Sequence, residues 1–103
     1  MDQSHRIILT AFNFFEWKDE MEIFLRAKGL YRVTMEIEAE PNVATEKIKW
    51  HNRRDEAYGI LCLSISRDLL FHLDGLTSPN EVWEKLADLF EKTYEMIGHH
   101  IKN

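Results

Sequence analysis

The chain has 103 residues, which is one domain's worth and enough to bury a core without disulfide or metal staples. Hydrophobic residues make up 45%, with three Trp, six Phe and three Tyr, and this excludes a disordered chain. The formal net charge of -5 argues against a dedicated nucleic-acid-binding domain, and one cysteine, Cys62, excludes an intramolecular disulfide and a multi-Cys zinc knuckle.

The start, Met1 to Arg6, is polar and lacks a signal-peptide pattern, because the apolar stretch that follows it is too short. A reducing, cytoplasmic location is the expectation. Ile7, Ile8 and Leu9 then predict an extended segment that caps the core. A sharper reading makes this an arm that pairs with a neighbouring molecule. The arm covers about residues 1–11, and the helical core about 13–97.

Asn13 is a suitable N-cap for a first helix running to Lys28. Phe14, Trp17, Met21, Phe24 and Leu25 recur at three- and four-residue steps on one face, while Glu16, Lys18, Asp19, Glu20 and Glu22 fill the other. At this spacing the aromatic stripe is core, not a ligand box. Gly29, following Arg26 and Lys28, marks the stop, with cations at the negative end of the helix. Leu30 to Met35 predicts one or two helical turns, with Leu30, Val33 and Ile37 reaching the core. Glu36 to Asn42 is an acidic loop whose alternating Glu36, Glu38 and Glu40 predict a solvated run; it lacks the turn-forming glycine of a calcium loop.

A long third helix is expected from about Val43 to Ile65, with Trp50, Ala57, Ile60, Leu61 and Ser64 near one face. Its first half is charged. Its second half, Ala57 to Ile65, is the longest nearly unbroken apolar run in the chain and predicts a segment buried all round, about which the other elements pack. Gly59 costs about 1 kcal/mol in a helix interior, and is read as a position where another backbone approaches. Lys47, Lys49, Arg53 and Arg54 give local basic character, but Glu46, Asp55 and Glu56 are interleaved, which weakens a phosphate-binding reading. Ser66 is placed to cap a short fourth helix, Arg67 to Leu73, with Leu69, Leu70 and Leu73 inward. After the stop at Asp74-Gly75, Ser78-Pro79-Asn80-Glu81 is a capping box with Pro at the first helical position. The fifth helix carries Val82, Trp83, Leu86, Leu89, Phe90, Tyr94 and Ile97 at helical spacing, with Gly98 as its expected end and His99 to Asn103 as a frayed tail. The architecture predicted is all-α, with about five helices in one domain, 1–103.

No enzymatic chemistry emerges. His5, His51, His72, His99 and His100 form no helical metal pair, there is no phosphate loop or nucleophile elbow, and Cys62 lies inside the apolar run as an inert small hydrophobe. No catalytic residue, cofactor or metal is assigned.

Three segments together resemble a known family. Asn13-Phe14-Phe15-Glu16-Trp17, with Met21, Leu25 and Gly29-Leu30, is similar to the first signature block of Copia-type LTR-retrotransposon Gag polyproteins. Trp50, Asp55-Glu56-Ala57, Ile60 and Leu63-Ser64 resemble the second block, and Thr77 to Leu86, with Glu81, Trp83 and Leu86, the third. Order and spacing agree from about Leu9 to Tyr94. Ala11 and Phe12 stand where family members usually have a glycine, which affects the local turn. The resemblance implies a bundle like the N-terminal domain of a retroviral capsid protein, part of the shell-building polyprotein of virus-like particles. In the family that polyprotein continues into a second helical capsid domain and often a zinc knuckle. The implied partner is a second copy or a related Gag, with Ile7, Ile8 and Leu9 as candidate self-association residues and no membrane partner. The alternative is a host-retained, domesticated Gag module that binds a partner peptide or co-assembles with and interferes with related particles.

Overall fold

A computed structural model of the chain describes the backbone of residues 7–101 and the side chains of residues 7–91. It is an all-α bundle. Helix α1 spans Phe14–Ala27, α2 Tyr31–Thr34, α3 Ala44–Leu63 and α4 Pro79–Ile101, with a 3-10 helix over Arg67–Leu73 between α3 and α4. The most extensive packing between helices is α3 against α4.

The core forms where the apolar stripes meet. Phe14, Trp17, Met21 and Leu25 from α1 join Ala57 and Leu61 from α3, Leu69 and Leu73 from the 3-10 helix, and Val82, Trp83 and Leu86 from α4. Trp17 and Trp83 have ring centroids 5.8 Å apart, and Phe14 stacks on Phe90 at 5.6 Å. The buried indole of Trp17 donates from Nε1 to the Ser64 carbonyl at 3.1 Å, which satisfies its one polar atom. Two buried hydroxyls are satisfied locally: Thr34 Oγ1 donates to the Leu30 carbonyl and Ser64 Oγ to that of Ile60, each at 2.7 Å.

The helix ends follow local chemistry. Gly29 takes a φ of 73°, and the Leu30 amide donates to the Leu25 carbonyl at 2.8 Å while the Gly29 amide donates to that of Arg26 at 3.1 Å. This is a Schellman stop. At the start of α4, Ser78 Oγ accepts from the Glu81 amide at 3.2 Å, and Glu81 Oε1 accepts from the amides of Thr77 and Ser78 at 3.0 and 3.1 Å. These backbone donors hold the Glu81 carboxyl below the usual carboxylate range. Its folded pKa lies under its unfolded one, so the stability it contributes is present above about pH 4.3 and is lost as pH falls through the folded value. Ser78→Ala is expected to cost about 1 kcal/mol in thermal or urea unfolding. Glu81→Gln is expected to remove this part of the acid sensitivity. Unchanged unfolding in Ser78→Ala would show that the serine half of the box contributes nothing.

Several details depart from the sequence expectation. Asn13 occupies the N-cap position of α1, yet its side chain makes no capping bond. Oδ1 accepts from the Thr10 amide at 2.8 Å and Nδ2 donates to the Ile8 carbonyl at 3.0 Å, so the side chain braces the turn before the helix. The end of α3 is not buried all round: Leu63 is 79% exposed, because only the Ala57 and Leu61 side of the apolar run meets the bundle. Among the described residues nothing lies within 4 Å of where a Gly59 side chain would start, so none of their backbones approaches there. Ile37 stays 52% exposed, since the chain has turned away at Glu36, which takes a positive φ of 58°. In the fourth helical segment, which is 3-10, Ser66 bonds the Asp68 carboxylate through its hydroxyl and caps no amide, and Leu70 remains at the surface while Leu69 and Leu73 are buried. The α4 backbone continues past Gly98 to Ile101, because a glycine within a helical run can remain helical at modest cost. The side chains of Tyr94, Ile97, His99 and His100 lie outside the described residues, as do residues 1–6 and 102–103.

Candidate functional site

Three surface regions carry features that the core does not use. The first lies where the N-terminal arm meets the end of α3. Leu9 forms a parallel bridge with Ile65: its amide donates to the Ser64 carbonyl at 2.8 Å, and the Ser66 amide donates to its carbonyl at 3.0 Å. The three arm residues have different fates. Leu9 is completely buried, Ile7 is half-buried with its amide on Glu20 Oε1 at 2.6 Å, and Ile8 faces outward. The Asn13 brace fixes the turn that carries the arm back to α1. Within three residues of the bridge partners stand two further exposed apolar side chains, Phe12 at 96% exposure and Leu63. Their periodicity did not reveal them, since Phe12 precedes the helix and Leu63 sits in a run that reads as core.

The second region is an open hollow of about 300 Å³ lined by Arg26, Gly29, Tyr31, Arg32 and Glu38. The Schellman stop and α2 place these residues together. The Arg26 guanidinium lies over the Tyr31 ring at 3.7 Å. The Arg32 carbonyl accepts the amides of Ile37 and Glu38 at 2.9 and 3.3 Å, which folds the acidic loop back beside it. Both Glu38 carboxylate oxygens accept from Arg53, at 2.8 and 2.5 Å, and this fork holds the Glu38 carboxyl below the usual range.

The third region is the exposed first half of α3, where residues 42–49 are all at the surface. The acidic loop is not simply solvated. Besides the Glu38–Arg53 fork, Glu40 pairs with His51 at 3.0 Å and with Lys47 at 4.0 Å, and the Glu38 carbonyl accepts Trp50 Nε1 at 3.1 Å. Trp50 is buried, yet it lies outside the main core cluster and seals loop to helix. Lys49 pairs with Glu46, and Arg54 lies over the Trp50 ring. The basic residues suggested for phosphate are therefore engaged by carboxylates or by an indole. Among the described residues no group of three or more His, Cys, Asp and Glu is placed to hold a metal ion, and no helix is long and apolar enough to cross a membrane. Burial raises the Cys62 thiol pKa, which leaves it protonated and weakly nucleophilic at neutral pH.

The family model for the gag-polypeptide of LTR copia-type matches residues 21–102, about four-fifths of the chain. The chain belongs to the copia-type Gag family. No curated protein and no solved structure matches it. Asn13 and Trp17, quoted in the first signature block, precede the matched span, whereas Met21, Leu25, Gly29, Leu30, Trp50, Ala57, Ile60, Glu81, Trp83 and Leu86 fall inside it.

The structure gives these Gag signature residues architectural positions. Met21, Leu25, Leu30, Ala57, Trp83 and Leu86 are in the core, and Ile60 packs against it. Gly29 supplies the left-handed stop, Glu81 the helix cap and Trp50 the loop seal. In this chain those positions build the core, the helix ends and the loop seal of the Gag-type domain.

Proposed function

We propose that this domain contributes to a Gag particle shell by self-association. The observation that carries the reading is the copia-type Gag match over most of the chain. Exposed apolar side chains beside the arm, Ile8, Phe12 and Leu63, supply a surface of the kind that association covers. Shell contacts are individually weak and are multiplied by symmetry, so a surface broken into modest patches suits the role. Within the arm, Ile8 is the residue available to a neighbour, while Leu9 serves the fold.

Sedimentation or light scattering over a wide concentration range tests the proposal. The expected result is concentration-dependent growth beyond the monomer, reduced in Ile8→Ser with the melting temperature unchanged. Association equal to wild type in Ile8→Ser would remove the arm from the interface. A chain that stays monomeric at millimolar concentration in low salt would overturn self-association through this domain.

A further inference from the structure

The arginine hollow and the start of α1 form a complementary pair that one molecule cannot bring together. Arg26 and Arg32 make no ion pair within 4 Å among the described residues. Tyr31 orients the first of them, and Glu38, the one carboxylate in the wall, has both oxygens occupied by Arg53. The wall thus carries two guanidinium groups and one carboxylate whose charge Arg53 already offsets from outside it, in a chain whose net charge is -5. The hollow is locally cationic and holds donors in fork geometry, which suits a carboxylate.

At the other end of α1, Glu16 and Asp19 are exposed and one turn apart on the same face. Neither has an ion pair among the described residues. Glu20 is engaged by the Ile7 amide, and Lys18 by Glu91 at 2.6 Å. At about 1.5 Å rise per residue, Glu16 lies about 15 Å along the helix axis from Arg26. A rigid helix keeps the two ends apart, so the carboxylate pair can enter such a hollow only on another molecule.

We propose that the hollow formed by Arg26, Tyr31 and Arg32 receives the Glu16 and Asp19 carboxylates of a second copy of this chain. The inference rests on the self-association reading and names one of its contacts. The two surfaces differ, so the contact is heterologous: it uses one patch of each molecule and leaves the other free. Such a contact repeats into a ring or an open array, whereas an isologous contact stops at a dimer. Its charges are exposed, and salt screens it beyond about 10 Å at 0.1 M ionic strength.

The test uses the full chain and two neutralised variants, R26Q/R32Q and E16Q/D19N, measured by sedimentation velocity at low and high salt. Wild type is expected to associate at low salt and to weaken in high salt. Each variant alone is expected to lose about tenfold in association constant, as exposed ion pairs imply, with unchanged helical circular dichroism. The equimolar mixture is the decisive arm, because each variant keeps the surface that the other lacks. It is expected to regain one contact of wild-type strength per pair, so that one-to-one dimers exceed what either variant forms alone while larger species stay below wild type. If wild type associates and both variants match it, or if the mixture behaves as the separate variants do, this contact is wrong while self-association stands. If wild type stays monomeric at millimolar concentration in low salt, both ideas are overturned. Should R26Q/R32Q alone lose association while E16Q/D19N keeps it, the hollow binds some other acidic group and the assignment of its occupant fails.

Discussion

Trp17→Ala is expected to remove about 3–5 kcal/mol of stability. Trp17 is 1% exposed and central, touching the rings of both Phe14 and Trp83. Small domains have only about 5–15 kcal/mol in total, and each kcal/mol moves the melting temperature of a domain this size by about 4–8 °C. A fall of tens of degrees should therefore appear in circular dichroism. Trp17→Phe is expected to cost less. It keeps one ring in the core, loses part of the indole volume and loses the Nε1 bond to Ser64. The Ser64 carbonyl still accepts the Leu9 amide, so no buried acceptor is orphaned and the bond itself should account for about 1 kcal/mol. A melting temperature for Trp17→Ala within a few degrees of wild type would contradict the central position given to this residue.

Leu9→Ala follows closely, with an expected loss of about 2–5 kcal/mol. The side chain lies in the main cluster, and its backbone is held on both sides by Ser64 and Ser66. Alanine would keep those two hydrogen bonds and leave a cavity against the bundle. The neighbours provide the control. Ile8→Ala should fall within about 0.5 kcal/mol of wild type, because its side chain faces outward, and Ile7→Ala should lie between the two. Urea unfolding of the three variants checks the order. A larger loss at position 8 than at position 9 would show that the bridge register is wrong, since a one-residue shift exchanges the inward and outward side chains. Proteins that lack the arm are thus expected to fold poorly, so an association defect in an arm deletion says little by itself. Ile8→Ser is the informative change for the interface.

These results bear on how a Gag domain divides its sequence between fold and assembly. Its signature residues sit in the core, in turns and at helix caps. The arginine hollow and the Glu16–Asp19 pair lie outside the core, so substitutions there leave the buried cluster intact. Assembly specificity is expected from that charged surface, since charge arrangement selects partners more than it supplies affinity.

What was legible from the amino-acid order is what local interactions decide. The face of α1 followed from apolar side chains three and four residues apart, its end from Gly29 and the start of α4 from the Ser78–Glu81 box, all within one helical turn. The all-α class followed from these elements, and the family from their order. Contacts between distant positions were not legible. Leu9 meets Ile65 across most of the chain, and the three consecutive apolar residues of the arm carry no periodicity to say which one turns inward. The acidic loop reads as solvated because Glu38 and Glu40 alternate with apolar residues, yet folding sets them against Arg53, Lys47 and His51. The apolar run of α3 specifies burial on the side that meets the bundle, so Leu63 and the Gly59 position stay open among the described residues. Local chemistry set the helices and their ends, and the three-dimensional packing alone decided which side chains remain for another molecule.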